Sequence, residues 1–249
     1  MRTAIMVQAR TGSQRLPNKV LLPLKNKPLI LHVLERLKEC QWADAVILVT
    51  TQGPEDRALI DLAEKQGFPV FAGSERDVLD RYYQAAKHFR AKNIVRCTGD
   101  CPVLDPEVTD KVIRCHFEKN PDYTSNAVIR SYPRGYDTEI MTFSALETAA
   151  NEAQEAYQRE HVTPFIFEQK DRFKIEHVIA GPKYYWPGLR LTVDTESDYE
   201  LMKQVFDALY DKHPHFSLDE VMQLFRAKPE LAELNAHIRQ KSARSSQGG

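Results

Sequence analysis

Arg10-Thr11-Gly12-Ser13-Gln14-Arg15-Leu16-Pro17-Asn18-Lys19 sets three cations, one glycine and two hydroxyls within ten residues. That composition suits a polyphosphate. Backbone N–H groups freed around Gly12 can cradle phosphate oxygens, Arg15 can grip them with two parallel hydrogen bonds, and Lys19 adds a compact charge. A solvated basic turn has the same composition, but this run follows directly on an apolar segment, as a ligand-binding loop would. It lacks the Gly-Lys-Ser/Thr ending of a P-loop and the Gly-x-Gly-x-x-Gly of a dinucleotide site. Kinase and dehydrogenase chemistry therefore lose their main support.

Two acidic positions stand at similar junctions. Arg96-Cys97-Thr98-Gly99-Asp100-Cys101-Pro102 closes a β-rich run, so Asp100 should project into the crevice that holds the first loop. A carboxylate facing a triphosphate invites Mg²⁺, which takes one or two carboxylates together with phosphate oxygens and water. The alternative, a helix cap before Pro106, suits Asp105 better. Asp194, in Leu191-Thr192-Val193-Asp194-Thr195-Glu196, is explained locally as an N-cap of about 0.5–2 kcal/mol. Cys97 and Cys101 do not have zinc-ribbon spacing, and no second Cys or His pair follows them.

The elements that must position these groups follow from periodicity. Residues 3–9 read as a strand buried on both faces, 29–39 as a helix, 45–50 as a strand, 55–66 as a helix, and 69–72 as a short strand. Residues 78–88 continue as a helix, 93–98 as a strand and 106–119 as a helix. This βαβα order predicts an α/β fold: a three-layer, Rossmann-like, mostly parallel sheet with right-handed crossovers. Ligands gather at the carboxyl ends of such strands, so the residues after Ala9, Thr50, Ala72 and Thr98 should converge.

Beyond 119 the pattern is less regular. Residues 123–141 look extended, 144–151 and 157–168 helical, and 174–180 extended, which reads as a small inserted or dimer-forming subdomain at about 123–186. A strand at 189–193 then rejoins the parallel sheet, followed by helices at 196–210 and 218–225. The expectation is one domain over 1–240 and a polar, disordered tail at 241–249.

The bulk numbers bound the class. With 249 residues, 42% of them hydrophobic and 28% charged, the chain supports one sizeable core. A net charge of −1 leaves no global field for nucleic acid or an anionic membrane. No run approaches the roughly 20 apolar residues of a membrane span. Four cysteines and a short initial apolar run fit a cytoplasmic protein.

Gln8-Ala9-Arg10, then Ser13, Arg15-Leu16-Pro17 and Lys19, resemble the signature of the cytidylyltransferases that make CMP-activated sugar acids, including CMP-Kdo and CMP-sialate synthetases. The similarity is greatest to their spore-coat-polysaccharide branch and covers about residues 2–210. Asn18 stands where the pattern has glycine, and Asn is the side chain that best tolerates φ > 0. The resemblance implies the nucleotide-diphospho-sugar transferase fold, CTP as donor, and Mg²⁺ held by Asp100 and Asp194. It implies nucleotide contacts from Gln8, Ala9, Arg10, Gly12, Ser13, Arg15, Lys19, Thr98 and Asp100. In the implied reaction a sugar hydroxyl attacks the α-phosphate in line, while Arg10, Arg15 and Lys19 take the charge developing on pyrophosphate.

The same resemblance places Ser74 and Asp77 beside the base, although Ser74 or Asp77 could equally cap a helix and Arg81 pair with Asp77. It places Asp137, Glu139, Arg159, Glu160 and His161 around the acceptor, a nonulosonic acid, and implies a homodimer. A sugar-1-phosphate nucleotidyltransferase using another triphosphate and a non-catalytic sugar-nucleotide-binding protein remain alternatives. A glycosyltransferase on this sheet usually carries an Asp-x-Asp motif, which is not found.

Overall fold

Ile5 and Val7 of the first strand enter one apolar core while Ala4 and Met6 enter another, the period-two pattern of a strand covered on both faces. The computed structural model describes residues 2–240; the tail expected at 241–249 lies outside the described residues. After β1 (Thr3–Gln8) come the short pair β2 (Pro23–Leu24) and β3 (Lys27–Pro28), then α1 (Leu29–Leu37) and β4 (Ala45–Thr51). The alternation continues through α2 (Arg57–Lys65), β5 (Val70–Gly73), α3 (Val78–His88), β6 (Asn93–Thr98) and α4 (Pro106–Lys119).

The seven-stranded sheet has the order β5-β4-β1-β6-β8-β7-β9, where β7 is Tyr123–Ser125, β8 Glu139–Thr142 and β9 Ile175–His177. Strands β5, β4, β1 and β6 are mutually parallel, and β8 runs antiparallel between β6 and β7. On one face α1, α2 and α4 pack with α8 (Glu196–Leu209) and α9 (Leu218–Ala227); on the other α3 packs with α5 (Phe143–Glu152) and α7 (Pro164–Phe167). The fold is the expected α/β, three-layer, mostly parallel arrangement. Among the described residues no helix is long and apolar enough to cross a membrane.

Several local expectations change. The strands of 123–186 join the central sheet and continue it past β6, so this segment is built into the main architecture. Only the ends of 123–141 are strand; between them the Asn126 side chain accepts from Thr138 N (2.8 Å) and donates to Tyr136 O (2.8 Å), closing a loop. The helix expected over 157–168 divides into α6 (Ala156–His161) and α7, because Pro164 lacks an N–H and disfavours helix at the residue before it. Residues 189–193 form no sheet strand. They make one isolated bridge, Arg134 with Arg190, and dock across the sheet's end; all five are buried, Leu189, Leu191 and Val193 in the apolar core and Arg190 and Thr192 through hydrogen bonds.

Candidate active site

The loop after β1 is tied at its root. Thr11 O accepts from Ser13 N (2.8 Å) and Asn18 N (3.1 Å), and Asn18 holds φ 55° in the left-handed region its side chain tolerates. A side chain at Gly12 would meet only open space, so this stretch of backbone can approach a ligand closely. Below the loop lies Asp56, wholly buried. Its Oδ1 accepts from Thr11 N and Thr11 Oγ1, both at 2.7 Å, and its Oδ2 from Thr50 Oγ1 (3.0 Å), Thr51 N (3.3 Å) and Thr51 Oγ1 (2.5 Å). Burial alone would raise this carboxyl's pKa, but the donors outweigh it and the pKa falls. Sequence periodicity had placed Asp56 in a helical turn, with no sign of this role.

The acidic positions meet at one lysine. Lys19 Nζ lies 2.9 Å from Asp100 Oδ2 and 2.7 Å from Asp194 Oδ1. Asp100 reaches this point because β1 and β6 end side by side: Gly99 N donates to Gln8 O (2.8 Å), and a Cβ at Gly99 would come within 2.7 Å of Ala9 Cβ. Thr98 Oγ1 donates to Asp100 Oδ1 at 2.6 Å. Burial pushes the Asp100 carboxyl up, yet the Lys19 ammonium and these hydrogen bonds hold it well below the usual carboxylate range. Burial likewise works against the Lys19 charge, and the two carboxylates overcome it.

Asp194 arrives by a different route. Val193 N (2.8 Å) and Thr192 Oγ1 (3.2 Å) donate to Asp100 O, clamping the segment before α8 against the end of β6. Thr195, not Asp194, is the N-cap of α8, paired with Asp198 in a capping box. The Asp194 carboxylate is thereby left to Lys19, to Arg15 (3.2 Å) and to Arg190 (2.7 Å). Arg190, buried and unforeseen from sequence, is fixed in turn by Asp198 at 2.8 Å.

Two carboxylates focused on one compact cation fit a magnesium site, since that ion needs only one or two protein carboxylates and draws its other ligands from phosphate and water. No group of three or more candidate ligands occurs among the described residues.

Beside Thr98 opens a cavity of about 240 Å³ lined in part by Arg96, Val128, Asp137, Glu139, His161 and Phe167. Of the expected acceptor contacts, Asp137, Glu139 and His161 line it. Asp137 holds a bidentate pair with Arg130 at 2.7 and 2.8 Å, and Glu139 is engaged by Arg96, Tyr123 and Thr163. Between His161 and Thr163, Val162 adopts φ 72°, ψ −54° and Thr163 N donates to His161 O at 2.8 Å. This is a γ-turn of the rare, strained kind, and it aims both flanking residues at the cavity.

Arg159 and Glu160 fall elsewhere. Arg159 donates through Nε to Asp77 Oδ2 (2.6 Å) and through Nη1 to Ala150 O and Ala153 O (3.0 Å each), a strut between α3 and α5. Glu160 is exposed and does not line the cavity. Asp77 caps α3 through Asp80 N (2.9 Å) and pairs with Arg159, not with Arg81, whose guanidinium donates to Ser74 O at 2.9 Å. Ser74 Oγ accepts from Asp77 N at 3.0 Å, and Arg10 reaches Glu75 at 3.4 Å, so the β5 loop does border the first loop. The strand ends after β1, β4, β5 and β6 thus share one crevice.

Residues 4–242 match the sequence model of the cytidylyltransferase family. The spore coat polysaccharide biosynthesis protein SpsF of Bacillus subtilis (strain 168) is 34% identical over 235 residues, 91% of this chain and 95% of that protein. A cytidylyltransferase from Leptospira borgpetersenii serovar Hardjo-bovis superimposes with TM-score 0.88 at 31% identity, over 97% of this chain and 100% of the other. CMP:2-keto-3-deoxy-manno-octonic acid synthetase, in complex with CTP, shares the fold at TM-score 0.62 and 17% identity, over 84% of this chain and 99% of that one.

Proposed function

Since this chain belongs to the cytidylyltransferase family, we propose that it transfers CMP from CTP to a hydroxyl of a sugar acid of the nonulosonic kind, with Mg²⁺ as cofactor, for a surface polysaccharide. The observation that carries the reading is Lys19 lodged between Asp100 and Asp194 where the first loop, the end of β6 and the cavity meet. CTP in the related synthetase supports the base, and the polysaccharide role of SpsF supports the destination.

The residues divide the work by position. The loop backbone at Gly12 and the Ser13 hydroxyl, with Arg10 and Arg15 at the rim, receive the triphosphate. Asp100 and Asp194 would hold Mg²⁺, which would supply positive charge against the transferring phosphoryl and could lower the pKa of the acceptor hydroxyl. Lys19 and Arg15 stabilise the charge that builds on pyrophosphate. The cavity beside Thr98 orients the acceptor for in-line attack on the α-phosphorus, so positioning and charge neutralisation supply the catalysis. Asp137 and Glu139, set by Arg130 and Arg96, offer carboxylate oxygens to sugar hydroxyls.

We also place the protein in the cytoplasm as a homodimer. Its four cysteines are all unpaired, as a reducing compartment allows. Val128, Ile129, Ile179 and Tyr185 expose large apolar surface on the connections around β7 and β9, a feature of contact surfaces. Light scattering on the purified protein tests the dimer; a monomer at micromolar concentration removes it.

The decisive experiment is pyrophosphate release with Mg²⁺, each nucleoside triphosphate in turn, and a panel of sugar acids and sugar-1-phosphates. Release that requires CTP and a sugar acid is expected. Release with another triphosphate and a sugar phosphate overturns the base and acceptor, and triphosphate binding without turnover in any combination indicates a binding protein.

A further inference from the structure

Asp56 belongs to no catalytic group, yet its carboxylate is fully committed beneath the first loop. It is 0% exposed, and its five donors are two backbone amides and three hydroxyls. The division of its oxygens is the informative feature. Oδ1 serves only Thr11, in the loop after β1, and Oδ2 serves only Thr50 and Thr51, at the end of β4. Thr11 then passes the constraint on, because its carbonyl accepts from Ser13 N and Asn18 N, and Lys19 follows Asn18 directly.

We infer that Asp56 is a positioning residue for the nucleotide: its carboxylate rivets the phosphate-binding loop to β4 and thereby sets the pose of Ser13 and Lys19. The inference rests on the cytidylyltransferase reading of that loop. A carboxylate suits the task because both of its oxygens accept without donating. An amide cannot replace it, since one end would turn a donor toward either Thr11 N or Thr51 N.

The test is calorimetric titration of CTP with Mg²⁺, without acceptor, into the wild type, Asp56→Asn, Thr11→Val and Thr11→Ser, with melting temperatures measured alongside. Thr11→Val keeps the size of the side chain and deletes the hydroxyl that reaches Asp56 Oδ1 (2.7 Å) and, more weakly, Glu55 O (3.2 Å), so it remains informative if Asp56→Asn does not fold. The expected result is a CTP Kd raised about tenfold or more by Asp56→Asn and about fivefold by Thr11→Val, with Thr11→Ser within about twofold of wild type. Variants that melt lower but bind CTP like the wild type overturn the inference and leave Asp56 a stabilising group. A wild type that takes up no CTP overturns the cytidylyltransferase reading and this inference with it.

Discussion

Lys19 and Asp194 stand 2.7 Å apart, with Asp100 2.9 Å from the same ammonium, so one cation joins carboxylates that lie 94 residues apart in the chain (194 − 100). The ammonium takes the place that a divalent ion held by both carboxylates would need. Replacing it with Met should therefore raise the affinity of the nucleotide-free protein for Mn²⁺, read by electron paramagnetic resonance, while turnover falls. Equal Mn²⁺ affinity in the wild type and Lys19→Met would show that lysine and metal do not compete.

Asp100→Asn keeps the shape of the side chain and removes its charge. Turnover should fall at least about a hundredfold, with far-ultraviolet circular dichroism unchanged. Near-normal turnover in a folded variant would count against the metal role assigned to Asp100.

Arg190 touches no substrate in this scheme, but it aims Asp194 and is aimed by Asp198. Lysine in its place cannot fork between the two carboxylates. Arg190→Lys should lower turnover by roughly 10- to 100-fold, as loss of support for a metal ligand does, and excess Mg²⁺ should recover part of it. Unchanged kinetics would mean that Asp194 needs no orientation from Arg190.

Arg159 is assigned to the scaffold. Arg159→Ala should destabilise by about 1–3 kcal/mol in urea, since it uncovers two carbonyls and leaves Asp77 without its partner. The acceptor KM should stay near wild type. A large rise in that KM with stability intact would return Arg159 to the acceptor pocket.

His32 and His116 are buried, and burial lowers the pKa of each from 6.5 to about 4. The unfolded chain therefore binds more protons than the folded one between those values, and stability must fall as pH drops from 6.5 toward 4. Each histidine contributes roughly 3 kcal/mol across that window. Denaturation midpoints at pH 7 and pH 5 check this, and His32→Gln or His116→Gln should flatten the dependence; an unflattened slope assigns it to other groups.

Local patterns made much of this molecule legible. Residues 3–8 announce a doubly covered strand because Ala4, Ile5, Met6 and Val7 are all apolar, and α4 is bounded by Asp105, Pro106 and Asn120, whose capping and left-handed preferences are intrinsic. The first loop stood out because cations, glycine and hydroxyls crowd into a short run, and Asn18 took the left-handed conformation its side chain allows. Asp100 stood out because a strand end is a local feature.

Tertiary structure alone decided the rest. Residues 189–193 alternate apolar and polar types like a strand although all five are buried, and their partners, Arg134 and Asp100, lie too far away in sequence for any window to include them. Arg159 and Arg15 are the same residue type in polar runs, yet packing gave one fork to Asp77 and two carbonyls and left the other facing Asp194. Asp56 differs from a surface acid only in the threonines that fold down upon it. The sequence by itself determined the strand-loop grammar and the chemistry at strand ends, since these depend on neighbours in the chain. Which charges are spent on holding the fold and which remain for a ligand depends on neighbours in space, and only the folded molecule decides that.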